Sequence, residues 1–114
     1  MGTSKSNKNW KCKVCVFSGR PDPVWQPTES VVVHLLDLTE NAPLAQLSYQ
    51  LPQGLGFRGL CLFSNERMIT AYNGYLYISD GSKHVVKTDF NLQFFKYFCE
   101  KIPKKYENIK SLIQ

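Results

Sequence analysis

A chain of 114 residues with 43% hydrophobic and 13% aromatic residues is long enough to build one core without a disulfide or metal staple, and too apolar to be globally disordered. No apolar run approaches the roughly 20 residues of a bilayer span, and Met1 to Lys11 is polar and basic without an apolar h-region. The composition therefore points to an unexported, cytoplasmic protein with no membrane partner. The formal charge of +5 is uneven. Residues 1–20 hold Lys5, Lys8, Lys11, Lys13 and Arg20 with no acid, 21–82 hold two bases and six acids, and 83–114 hold seven bases and three acids. The ends are basic and the middle is acidic. The plainest account is solvated lysine at flexible ends; a one-sided positive potential follows if the termini meet.

In chain order, Met1 to Asn9 reads as a disordered leader and residues 10–114 as a single globular domain. Trp10 to Ser18 begins with strict alternation, which predicts a strand with Trp10, Cys12, Val14 and Val16 on one face. Gly19 to Pro27 follows, with three prolines and a glycine that exclude helix and central strand alike. Proline also biases the preceding residue to extended geometry, so this loop is stiff and presents Arg20, Asp22 and Trp25 from a fixed base. Thr28 to Glu40 predicts a helix capped by Thr28, with Val31, Val32, Leu35, Leu36 and Leu38 as its apolar stripe. The Val31-Val32-Val33 run pulls towards extended structure. Asn41-Ala42-Pro43 ends the helix, Leu44 to Gln53 reads as irregular or one short turn of helix, and Gln53 to Gly59 supplies a second glycine-rich approach.

A four-strand antiparallel meander spans Phe57 to Thr88. Its centre is Asn73-Gly74, two residues that tolerate the positive φ of a type I′ hairpin loop. The register that follows places Ile69, Ala71, Leu76 and Ile78 on one face and Thr70, Tyr72, Tyr75 and Tyr77 on the other. The first is a core face. The tyrosine face is open to a partner if both helices cover the first, and covered if they take opposite sides. Asp89 caps a final helix carrying Phe90, Phe94, Phe95, Phe98, Cys99 and Ile102, Pro103 stops it, and 104–114 allows another short helix. The fold class is thus α+β, a mainly antiparallel sheet of about five strands in the order β-α-β-β-β-β-α, packed by two amphipathic helices.

Motifs with known chemistry match poorly. Cys12-Lys13-Val14-Cys15 has C-x-x-C spacing, but a strand puts residues three apart on opposite faces, and no second ligand pair completes a zinc site. The four cysteines, Cys12, Cys15, Cys61 and Cys99, read as buried thiols in a reducing compartment. Arg58-Gly59 opens a strand like that of RNA-binding sheets, yet Leu60 and Leu62 stand where bases would need aromatics. Gly54 to Gly59 precedes a strand, whereas phosphate loops open helices. His34 has Asp37 one turn on, with no nucleophile elbow for either histidine to serve. No metal and no cofactor is implied.

Two arginines in rigid loops remain. If the strands they flank are neighbours, Arg20 and Arg58 converge with Asp22 and Trp25 in a pocket suited to an anionic or carboxylate-bearing group, because guanidinium forks bind planar anions through paired donors. The leading expectation is a non-catalytic domain that binds an anionic ligand or protein partner through these residues. The alternatives are a nucleic-acid binder using the basic ends and Tyr72, Tyr75 and Tyr77, and, less favoured, a thiol-dependent small enzyme.

Overall fold

The hairpin at Asn73-Gly74 forms with the expected register. Asn73 and Gly74 take φ of 53° and 87°, and Tyr72 faces Tyr75, Thr70 faces Tyr77 and Ile69 faces Ile78. The computed structural model describes residues 9–113; the leader expected over 1–9 lies, apart from Asn9, outside the described residues.

Six strands, β1 (Lys11–Cys15), β2 (Val24–Trp25), β3 (Gly59–Phe63), β4 (Arg67–Tyr72), β5 (Tyr75–Asp80) and β6 (Lys83–Thr88), form one sheet in the order β2-β1-β3-β4-β5-β6. Every neighbouring pair is antiparallel. The strand beyond the expected five is β2, two residues of the proline-rich loop. Its proline neighbours confine it to the sheet edge, where a missing N–H costs nothing.

Helix α1 (Glu29–Asn41) begins where the Thr28 hydroxyl accepts a bond from the Val31 N–H at 3.4 Å. Burial decides the conflict posed by the three valines. Val31, Val32 and Leu35 enter the core while Val33 stays exposed, so packing of one helical face overrides local β preference. Helix α2 (Gln93–Glu100) starts later than expected. A 3-10 turn over Phe90–Leu92 intervenes, with Asn91 and Leu92 at φ of 54° and 56°. That turn swings Phe90 out of the apolar face to 60% exposure. The Asp89 carboxylate still caps the helix, accepting from the Phe94 and Phe95 amides at 2.9 and 3.1 Å. The last segment, Lys104–Leu112, is a 3-10 helix that buries Ile109.

Both helices lie on the face bearing Cys12, Val14, Leu60, Leu62, Ile69, Ala71, Leu76 and Ile78, and Val32, Leu35, Phe94 and Phe98 close this core. Burying each of the Val, Leu, Ile and Phe side chains among them contributes about 1.5–3 kcal/mol. With both helices on one side, the tyrosine face was expected to be open. It is not, because the irregular connection after α1 folds across it. Tyr49 packs on Tyr77 and His84, with ring centroids 6.2 and 4.6 Å away, and Phe57 packs on Tyr72 at 5.8 Å. Cys61, Thr70, Tyr77 and Val86 are buried beneath it. An extended chain with apolar side chains at wide intervals can cover a sheet without any helical or strand period, which is why no pattern announced it.

At one point the sheet admits only glycine. Gly59 has φ of 132°, and a Cβ there would meet Thr70 Cγ2 at 2.6 Å. The absent side chain lets β3 lie close against β4 as the chain enters the sheet.

Candidate functional site

The loop after β1 is closed by one carboxylate. Asp22 Oδ1 accepts from the Val16 and Phe17 amides at 2.9 and 2.7 Å, satisfying two main-chain donors that have left the sheet ladder. Its Oδ2 lies 3.7 Å from Arg58 Nη2. Arg58 in turn donates through Nη1 to the Gly56 and Gly54 carbonyls at 2.9 and 3.4 Å, and through Nη2 to the Phe17 carbonyl at 3.1 Å. Its own N–H donates to the Cys15 carbonyl at 2.7 Å. Because β1 and β3 are neighbours, Asp22 and Arg58 come together, but of the four residues expected in one pocket only Arg20 and Asp22 line a common cleft. Both terminal nitrogens of Arg58 are engaged inside the protein, and the Asp22–Arg58 pair acts as a staple joining two loops.

Arg20 behaves differently. Its guanidinium carbon stands 3.9 Å from the centroid of the Phe17 ring, a cation–π contact that spends no N–H donor, and the side chain is exposed with no ion pair among the described residues. It lines a cleft of about 410 Å³. One wall is the loop, with Phe17, Arg20, Pro21 and Pro23, and the other is the C-terminal 3-10 helix, with Lys105, Tyr106 and Asn108. Asp22 reaches the same cleft, but its charge is answered by Arg58 and two amides. Among the described residues two cations therefore face a space whose one acid is already engaged.

Trp25 is not among the cleft residues. It packs against Phe98 and Tyr106, each at 5.8 Å between centroids, so it backs the cleft by supporting Tyr106. Lys105 was not singled out from sequence. Only the basic character of the chain end hinted at it, since nothing local says that this lysine meets the proline loop.

The tyrosines occupy a different place. Tyr77 is 8% exposed and Tyr72 and Tyr75 are half-buried, with Phe57 and Tyr49 on the rings at either end of the row. The thiols are inward as well. Burial pushes Cys12 and Cys61 up to about 12, and raises Cys15 despite the pull of Lys13 and Arg58. Protonated thiols are poor nucleophiles and poor ligands. Cys12 and Cys15 lie on opposite faces of β1, as alternation requires. His34, rather than meeting Asp37, lies 4.2 Å from the Tyr97 ring. Among the described residues no group of three or more His, Cys, Asp or Glu is arranged to hold a metal ion, and no helix is long and apolar enough to cross a membrane.

Comparison with protein-family models, curated proteins and solved structures finds no match for this chain. Function is therefore argued from geometry.

Proposed function

We propose that this chain is a non-catalytic binding domain that takes an anionic group, a carboxylate best of all, in the cleft between the 17–23 loop and the C-terminal 3-10 helix. One observation carries the reading. Arg20 stands over the Phe17 ring at 3.9 Å, its edge donors without a partner among the described residues, in the cleft that Lys105 also lines. A planar carboxylate matches a guanidinium edge in two parallel hydrogen bonds. Asp22 and Arg58 serve by fixing the loop, so that Arg20 is placed before any ligand arrives. We take the setting to be cytoplasmic, in keeping with four unbridged cysteines.

The test is a titration of the protein with citrate, read by the fluorescence of Trp25, whose ring touches the cleft residue Tyr106. Saturable binding is expected, weakened about tenfold to a hundredfold by Arg20→Ala or Lys105→Ala, since each removes a charged hydrogen-bond donor. A flat titration, or variants that bind as the unmodified chain does, would refute the reading. Oligothymidylate serves as a second probe: binding to it that falls log-linearly with salt supports the phosphate-backbone alternative instead.

A further inference from the structure

The outer edge of β6 is only half closed. Pro43 to Ala45 lies alongside its C-terminal part, with the Ala45 N–H donating to the Val86 carbonyl at 2.9 Å, the Thr88 N–H donating to the Pro43 carbonyl at 2.8 Å, and Leu44 opposite Lys87. Those bonds fix which residues point outward: Val86 and Thr88 do, and by strand alternation so does His84. Among the described residues no main-chain bond meets this edge at His84. An edge of unpaired main-chain groups is a template for another strand unless something blocks it.

Beside that open half, on the helix-bearing face, lies a groove of about 490 Å³. No helix residue lines it, although the last turn of α1 meets its rim through Thr39 and Glu40. Its apolar lining is Ile78 and Val85, and Val85 remains 36% exposed. Its charged lining is Arg67, Lys83, Lys87 and Asp80. Arg67 is shared between Glu40 at 3.6 Å and Asp80 at 4.0 Å. The Lys87 ammonium rests on the Thr39 and Glu40 carbonyls at 2.9 and 3.4 Å, which are neutral. Lys83 has no carboxylate within ion-pair distance among the described residues. Arg67 takes both acids, so among the described residues Lys87 and Lys83 have no carboxylate within ion-pair distance, and Lys83 lacks even the carbonyl partners of Lys87.

We propose that β6 is a second recognition surface, which takes an extended acidic segment of a partner protein by strand addition. The segment pairs antiparallel or parallel with the main chain of Lys83 to Val86, in line with Pro43 to Ala45. Its acidic side chain lies against Lys83 and an apolar one, two residues on, covers Val85. Main-chain bonds supply affinity in this mode, and the alternate side chains supply specificity. The surface is separate from the Arg20 cleft and does not depend on it.

The experiment uses the full chain, isotope-labelled for NMR, and the acetylated, amidated peptide Glu-Thr-Val-Thr-Glu-Thr, with the same peptide carrying Lys for Glu as control. The expected result is saturable shifts centred on Lys83 to Val86, slowed amide exchange at His84, and no binding of the lysine peptide. Lys83→Glu, a surface change that leaves the core intact, should weaken binding about tenfold, the scale of turning a favourable cross-strand charge pair into a repulsive one. His84→Pro, which removes an outward N–H from an edge strand that tolerates proline, should weaken it as well. The proposal is overturned by an absence of saturable shifts, by equal binding of the lysine peptide, or by both variants binding as the unmodified chain. It is equally overturned by shifts that map to Arg20 and Lys105 and vanish in Arg20→Ala, or by self-association that buries this edge in a second copy.

Discussion

Asp22 and Arg58 meet at 3.7 Å from two loops far apart in the chain, and each also holds main-chain groups of those loops. Their contact is worth more than an exposed ion pair because both side chains are largely shielded and hydrogen-bonded. Asp22→Ala leaves the Val16 and Phe17 amides without a partner and should cost about 1–3 kcal/mol in chemical unfolding. Arg58→Lys should cost nearly as much as Arg58→Ala, since an ammonium cannot serve three carbonyls and a carboxylate from one place. Equal stability of Arg58→Lys and the unmodified chain would show that the fork geometry is not used.

Gly59→Ala should destabilise the protein by more than the usual cost of an exposed substitution. The new Cβ would meet Thr70 Cγ2 at 2.6 Å, at a φ of 132° that side chains rarely adopt. A loss of about 1–3 kcal/mol is expected. Gly59→Ala combined with Thr70→Ser, which removes the clashing methyl, should recover part of it; a double variant no more stable than the single one would place the whole cost in the backbone.

Stability should fall at alkaline pH through the two innermost thiols. Cys12 and Cys61 ionise at about 12 in the folded chain against 9.0 ordinarily. A folded value above the unfolded one means that the stabilisation is complete below about 9 and is lost as pH rises from there towards 12. Each thiol contributes a slope of about 1.4 kcal/mol per pH unit across that window. Thermal unfolding at rising pH reads it, and Cys61→Ala should flatten the profile by one thiol's share. The same burial predicts that Cys12 and Cys61 react with a thiol reagent only as fast as the protein opens.

Asp89 holds the start of α2 through the Phe94 and Phe95 amides, and Asp89→Ala should cost about 1–2 kcal/mol, with helical signal lost first there. Burial raises its carboxyl above the ordinary 3.8, against the downward pull of both amides. Its charged form is therefore less favoured in the folded chain than in the unfolded one. The advantage of the unmodified protein over Asp89→Asn is expected to be greatest in acid and to shrink as pH rises through the raised value. An advantage that grows with pH would show that the amides outweigh burial.

The meander was legible because its signals are local. Asn73-Gly74 fixes the hairpin, and alternation then assigns every partner from Arg67 to Asp80. The same period placed Cys12 and Cys15 on opposite faces. What lay beyond reach depends on meetings between distant segments. The cover over Tyr77 comes from Tyr49, a residue in a stretch with no period, and the second wall of the cleft comes from Lys105, near the other end of the chain. Arg58 was marked as a functional arginine by its glycine setting. That setting instead brings the Gly54 and Gly56 carbonyls within its reach, so the rigid loop consumed the donors it was expected to present. In α2, the apolar spacing of Phe90 and Phe94 reads as one helix, but spacing cannot register that two residues between them turn left-handed.

Those two residues bear on how robust the protein is. Leu92 holds a φ of 56° and Asn91 one of 54°, and the neighbouring Phe90 has most of its ring in water. Glycine at 92 would relax that corner by roughly 1 kcal/mol, and a polar residue at 90 would remove wetted aromatic surface without disturbing a single core contact. The chain thus retains, outside its interior, unused room to withstand heat.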